Sequence, residues 1–220
     1  MRLGLACAVT GTGFGFTKEL LKEMGGWNYF TLTEDIEFST WCCVRGIRIG
    51  YCHDAILFDE QPVKLIQSWR QRTRWAQGGI QVTFRYTKDY GRGLKKGGWV
   101  GWSTFEAITL SLWGLGFGFL SGVMGLVTGI LSVGVVGGVV GTLVGIGGTF
   151  LSMMAMAAWT MFTERKRIYA TTWQRIKGLF SFPLYVLTWL PISVLAVFRK
   201  FEWVPIEHTE AISVDALEKK

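Results

Sequence analysis

Charged side chains are scarce in this sequence, and for sixty consecutive residues they nearly vanish. Only 18% of the 220 residues are Asp, Glu, Lys or Arg, against about 25% in an ordinary soluble domain. From Ser103 to Phe162 a single ionisable side chain occurs, Glu106. Such a stretch excludes a simple soluble domain, and the high apolar content excludes a disordered chain. Cysteine is also sparse. Cys7, Cys42, Cys43 and Cys52 are too few to frame a disulfide mini-protein. Cys42 and Cys43 are adjacent, and His53 has no partner nearby, so the C-x2-4-C spacing of a zinc site is missing. They read as reduced cytoplasmic thiols. No Asp-x-Asp occurs anywhere. Met1–Thr10 lacks a basic region followed by a long apolar core, so no secretory signal is expected.

What is present is apolar residue and glycine. Half of the chain is hydrophobic, with 29 Gly, 15 Phe and 11 Trp. Basic residues exceed acidic ones on both sides of the apolar block, and the net charge is +7. Sixty apolar residues are too many for one crossing of about 20 and suit two with a turn. The expectation is two transmembrane helices in 103–162, turning near Ser132–Gly138. Lys88, Arg92, Lys95 and Lys96 before the block and Arg165, Lys166 and Arg167 after it place both flanks in the cytoplasm. Gly114/Gly118/Gly122 and Gly137/Gly141/Gly145 have the spacing that lets helix backbones approach. A third apolar stretch, Leu179–Phe198, is interrupted by Pro183 and Pro191. It reads as an interfacial or re-entrant helix within 163–198, ahead of a cytoplasmic tail at 199–220.

The polar head, 1–62, reads as α/β. Leu3–Val9, Ile47–Tyr51 and Ala55–Phe58 have the composition of short strands. Thr17–Met24 is helical in character and is stopped by Gly25-Gly26. A second helix starts at Thr33 and runs through Trp41 toward Arg45. Three short strands make half a sheet, so the core is incomplete. From Val63 the apolar positions Val63, Ile66, Trp69, Trp75 and Ile80 predict an amphipathic interfacial helix in 63–98. The basic patch Arg85–Lys96 beside an apolar hairpin points to anionic lipid headgroups rather than nucleic acid.

Two constellations carry chemistry. Thr33-Glu34-Asp35 stands at a helix start after the Gly-rich loop Gly11-Thr-Gly-Phe-Gly. As structure alone, Thr33 caps the helix and the acids complement its positive end. Gln71-Arg72-Thr73-Arg74-Trp75 places Gln71, Arg74, Trp75 and Gly78 on one helix face. Those side chains can hydrogen-bond a sugar, pair with a phosphate and stack on a pyranose ring. As structure alone they form an interfacial arginine–tryptophan belt.

Together, at this separation and ahead of an apolar hairpin, these motifs resemble those of the processive family 2 glycosyltransferases: cellulose, hyaluronan, chitin and poly-N-acetylglucosamine synthases. The residues that carry the likeness are Gly25-Gly-Trp, Leu32-Thr-Glu-Asp-Ile-Glu-Phe-Ser39, Asp59-Glu-Gln-Pro62 and Gln71-Arg-Thr-Arg-Trp75. Glu106 resembles a glutamate near the first span of hyaluronan synthases. The resemblance implies that 1–62 is the C-terminal part of a GT-A domain in an inverting enzyme. Asp35 then matches the base that deprotonates the acceptor hydroxyl, and Glu34 orients the site. Thr33, Gln71, Arg74 and Trp75 match residues that hold the donor diphosphate and acceptor sugar. Gly11 and Thr12 lie beside the acceptor region. Trp203-Val-Pro-Ile-Glu-His-Thr209 occupies the place of a gating loop, with Trp203, His208 and Thr209, although it departs from the family's Trp-x-Thr form. Without the resemblance, His208 reads as an exposed loop residue.

The resemblance further implies a nucleotide-sugar donor, a UDP-sugar, together with a glycan or lipid acceptor. It places the enzyme in the plasma membrane with its catalytic part cytoplasmic. Mg2+ or Mn2+ is expected for the complete enzyme, with no metal ligands in this chain. Its Asp-x-Asp and donor-binding strands belong N-terminal to Met1, so the chain is expected to be truncated, inactive alone and dependent on the missing N-terminal half. The product is expected to be a β-linked polysaccharide. A glycolipid-forming relative is the alternative, and a non-enzymatic membrane remnant is the reading from another class.

Overall fold

The computed structural model describes residues 8–198 apart from 53, 56, 58, 110 and 111. Seven helices occur among them: α1 Lys18–Glu23, α2 Glu34–Arg45, α3 Leu65–Lys96, α4 Gly98–Thr109, α5 Leu112–Thr163, α6 Thr172–Leu187 and α7 Trp189–Phe198. The described residues fall into two compact units, 8–117 with 192–198, and 118–191.

In the first unit, α2, α3 and α4 pack against one another. Val44 of α2 meets Val82, Tyr86 and Tyr90 of α3 in one apolar cluster, and Val9, Tyr29, Phe38 and Cys42 form a second. Rings extend the second cluster outward. Trp27 stacks on Phe16 with centroids 5.6 Å apart, and Phe38 lies 5.5 Å from Trp27. α1 starts as its sequence predicts, with Thr17 Oγ1 accepting from the Leu20 N–H at 3.2 Å. Gly25 and Gly26 follow the helix with positive φ.

Two glycines set the helix spacing. Gly46 ends α2 at φ +77°, and a Cβ there would stand 2.7 Å from Val100 of α4. A Cβ on Gly93 of α3 would overlap Thr104 of α4. Ser103 then ties α4 to α2, its hydroxyl donating to the Cys43 carbonyl at 2.8 Å. Residues 103–109, expected at the start of the first membrane span, therefore lie in a helix that packs on α2 and α3.

The head departs from its α/β expectation. Among the described residues there is no β-strand: Ile47–Tyr51 and the described part of 55–58 are irregular. Ile47 and Ile49 pack against the core while Arg48 and Gly50 are exposed, which is the alternation of a strand. Alternation only chooses a face. A strand also needs a neighbour to take its backbone hydrogen bonds, and these segments have none among the described residues. Most of Leu3–Val9, and with it Cys7, lies outside the described residues, as do His53, Trp203, His208 and Thr209.

In the second unit α5 folds back on itself. Gly134, at φ 76° and ψ 171°, interrupts the helix inside the expected Ser132–Gly138 turn. A Cβ on Gly129 would stand 3.3 Å from the Cα of Gly138. Nine residues of unbroken helix would rise about 13.5 Å, so this proximity requires a reversal. Gly116–Thr163 and Thr172–Phe198 are both long and apolar enough to cross a membrane. The second includes Leu179–Phe198, which was expected to break at its prolines. Pro183 instead sits buried inside α6, and the interruption falls at Thr188. Pro191 explains that position, because it has no N–H to return to Leu187.

Replacing Gly93 with Ala should force Thr104 outward and cost about 1–3 kcal/mol, as overpacking does. A lowered unfolding midpoint for Gly93→Ala, with Gly91→Ala unchanged or raised because nothing lies within 4 Å of that position and Ala favours a helix, would confirm the close α3–α4 contact.

Candidate functional site

Thr33, Glu34 and Asp35 occupy the entry to α2. Thr33 is the N-cap residue, yet its side chain makes no capping hydrogen bond. Its hydroxyl is buried without a hydrogen-bond partner. The reason lies on α3, where Gly78 comes so close that a Cβ there would overlap the Thr33 side chain. Packing, rather than capping, fixes Thr33. Glu34 is exposed and Asp35 is half-buried. The backbone N–H groups of Asp35 and Ile36 favour the ionised form of the Asp35 carboxylate. Gly11 lies beside it, since a Cβ on Gly11 would be 3.8 Å from Oδ2.

The loop carrying Gly11 is anchored from α2. Ser39 Oγ accepts from the Val9 N–H at 2.8 Å and donates to the Asp35 carbonyl at 2.9 Å. Gly11 and Gly13 have φ of 84° and 70°, which side chains other than glycine rarely adopt. Thr12 is exposed on this loop, with its N–H donating to the Thr10 carbonyl.

One face of α3 grips the segment that leads into α2. Arg74 Nη1 donates to the Leu32 carbonyl at 3.0 Å, and Gln81 Oε1 accepts from the Leu32 N–H at 3.0 Å. Between them Gly78 receives Thr33. Four residues beyond Gln81, Arg85 Nε lies 3.1 Å from Glu37 Oε1. Glu37 is fully buried, and its Oε2 accepts from the Thr31 N–H at 3.1 Å. Positions 74, 78, 81 and 85 follow the helical i, i+4, i+7, i+11 spacing.

Thr33, Asp35, Gly11 and Arg74 are thus brought together. Gln71 is half-buried one turn before Arg74, and Trp75 keeps 38% of its surface exposed. Glu106 lies on α4 near Cys43, whose thiol is pushed up to about 11, chiefly by burial and then by Glu106. Cys42 is raised to about 12, again mainly by burial, so both buried thiols stay protonated at neutral pH. Gln81, Arg85, Glu37 and the role of Gly78 were missed from the sequence. The signal was available: the 71-74-75-78 face continues to 81 and 85 with hydrogen-bonding side chains.

Burial raises the Asp35 pKa above its ordinary 3.8, and the Glu34 carboxylate adds to the rise. The two backbone N–H groups and the Arg74 cation oppose it. Among the described residues no group of three or more His, Cys, Asp or Glu side chains could hold a metal ion. The described residues therefore offer no ready site for Mg2+ or Mn2+.

Removing the Arg74 charge takes away a cation that lowers the Asp35 pKa, so Arg74→Met should raise it further. Carboxyl 13C titration of labelled Asp35 measures this, and an unmoved midpoint would sever the two groups. The same shift has a stability sign. The folded state holds the Asp35 proton more tightly than the unfolded chain, so this contribution is present below pH 3.8 and is lost as pH rises through the raised value. Asp35→Asn should therefore raise the unfolding midpoint at pH 7, with a gain that shrinks on acidification.

A family profile described as "Glycosyl transferase family group 2" matches residues 1–198. The chain is 37% identical over 82 residues to the poly-beta-1,6-N-acetyl-D-glucosamine synthase of Staphylococcus aureus (strain COL), covering 37% of this chain and 20% of that protein. It is 33% identical over 94 residues to a UDP-forming cellulose synthase of Dictyostelium discoideum, in its catalytic chain, covering 43% and 9%. With the "Probable glycosyltransferase YdaM" of Bacillus subtilis it shares 30% identity over 82 residues, covering 37% and 20%. The matched regions span a fifth or less of the length of these curated relatives. No solved structure matches the chain. The fit of the family profile to nine-tenths of the sequence, motifs and apolar helices included, makes this chain a member of glycosyl transferase family group 2.

Proposed function

We propose that this chain carries the base and acceptor side of an inverting glycosyltransferase that extends a β-linked polysaccharide at the plasma membrane. The observation that carries this reading is the Asp35 carboxylate: half-buried, raised in pKa, beside the Gly11 loop and within the influence of Arg74. A base whose pKa is lifted toward neutrality is better matched to taking a proton. The acceptor hydroxyl attacks the anomeric carbon of a nucleotide-sugar while the bond from that carbon to the diphosphate oxygen breaks. The hydroxyl proton passes to an Asp35 carboxylate oxygen, and the diphosphate leaves with the electron pair. Glu34 helps hold Asp35 at its raised pKa.

A guanidinium has five N–H donors, and the Leu32 carbonyl takes one from Arg74. The remaining donors suit the charge that develops on the departing diphosphate. Trp75 offers a ring face for the acceptor sugar, and Gln71 offers an amide. The cellulose synthase relative is UDP-forming by name, which favours a UDP-sugar donor here. The polymer-forming names of two relatives favour a glycan acceptor over a lipid. The two apolar helical stretches suit an integral membrane enzyme with its polar head in the cytoplasm and 199–220 as a cytoplasmic tail that carries the gating loop at 203–209. Donor-side carboxylates must come from outside the sequence, because it holds no Asp-x-Asp.

Turnover is therefore expected only where those donor groups are supplied. In membranes containing the assembled enzyme, labelled UDP-sugar should enter a polymer ladder. Asp35→Asn should cut the rate about 10²–10⁴-fold, as loss of a general base does, and leave donor binding in place. Arg74→Lys should fail as well, since an ammonium lacks the planar fork. Undiminished transfer by Asp35→Asn would remove Asp35 as the base. A single glycolipid instead of a ladder would reassign the acceptor, and UDP-sugar turnover by the purified chain alone would overturn the need for added donor groups.

A further inference from the structure

We infer that Glu37, Gln81 and Arg85 are positioning residues for Asp35, holding the Thr31–Thr33 backbone on α3 so that the entry to α2 has one place to stand. This inference rests on Asp35 being the base, as proposed above, and none of the three side chains touches the reacting atoms in that scheme.

The Leu32 peptide groups are both taken by α3. Gln81 Oε1 accepts the Leu32 N–H and Arg74 Nη1 donates to the Leu32 carbonyl, each at 3.0 Å. One residue earlier the Thr31 N–H is held by Glu37 Oε2 at 3.1 Å. Glu37 is an ionisable side chain at 0% exposure, a placement that acidic residues rarely adopt unless paired. Its partner, Arg85, comes from α3 and is itself 54% exposed. A buried carboxylate that accepts a backbone N–H on one oxygen and faces a guanidinium on the other joins three pieces: the loop before α2, the first turn of α2 and the middle of α3.

The geometry matters because Thr33 does not do this work. A capping threonine would hold the helix entry through its own hydroxyl, whereas Thr33 makes no such bond. The entry is held instead from Thr31 and Leu32. Asp35 lies three residues past Leu32, with its carboxylate against the first N–H groups of α2. Any slip of Thr31–Thr33 along α3 would shift the first turn of α2, and the Asp35 carboxylate with it, relative to α3.

The test uses the full chain in lipid nanodiscs and does not require sugar transfer. Gln81→Met keeps size but removes the acceptor, and Glu37→Met removes both oxygens. Amide exchange at Leu32 in the first variant, and at Thr31 in the second, should rise about tenfold, the range expected for one lost hydrogen bond. Exchange at Val82–Tyr90 should stay at the wild-type level, which certifies the fold. The Asp35 carboxyl titration should move down toward its ordinary range as the entry opens to water. Gln81→Glu, which restores an oxygen acceptor, should recover both Leu32 protection and the Asp35 midpoint. Unchanged exchange at Thr31 and Leu32, or an Asp35 midpoint that stays put while exchange rises, would overturn the inference. If Glu37→Met unfolds, the Gln81 pair still decides. Failure of Asp35 as base would appear separately, as full transfer by Asp35→Asn in the assembled enzyme.

Discussion

The approach of Thr33 to Gly78 is the constraint on which the rest of the site depends. A helix carrying any side chain at position 78 would stand farther from the loop. Arg74 and Gln81, one turn to either side, could not then both reach the Leu32 peptide at 3.0 Å. The missing Cβ is what allows two long polar side chains to straddle a backbone segment. Thr33 gives up its hydrogen bond to fit, leaving a buried hydroxyl unpartnered. Such a group costs about 1–3 kcal/mol. The contacts around it must offset that cost, and the Leu32 and Thr31 bonds are the ones positioned to do so.

The electrostatics of the head divide along the same line. Cys42, Cys43 and Asp35 are all raised by burial. For the thiols, burial makes them inert packing groups. For the carboxylate it makes a weak base stronger, while backbone N–H groups and a cation are arranged to limit the effect. Glu37 meets the burial problem in another way, with an N–H on one oxygen and a guanidinium near the other. Two acids two residues apart on α2 therefore have different surroundings. One has a neighbour for each oxygen, and the other opens toward Gly11.

Much of the site could be read from the sequence because its determinants are local. The 71-74-75-78 spacing sets a helix face, Gly25-Gly26 stops a helix, and acids after Thr33 mark a helix start. The glycine-dense turn at Ser132–Gly138 was legible for the same reason, since only glycine readily accepts the backbone of Gly134. What escaped depends on partners distant in sequence. Ile47 and Ile49 alternate as a strand does, but no pattern within 47–51 says whether a neighbour will pair with it. Thr33 has the chemistry of a cap, and only Gly78, forty-five positions away, removes it from that role. Gln81 and Arg85 look like solvated polar residues until Leu32 and Glu37 are placed against them. Pro183 looks like a break, yet a helix can continue through it, whereas the real interruption falls at Thr188, ahead of Pro191.

A peptide whose N–H and carbonyl are both held by one helix cannot move independently of that helix. Leu32 is such a peptide, and its helix, α3, is 32 residues long, or about 48 Å. Its far end carries Lys95 and Lys96. The entry to α2 is therefore fixed to the same helix that carries the lysines, and Val82, Tyr86, Tyr90 and Gly93 hold the length between them against α2 and α4.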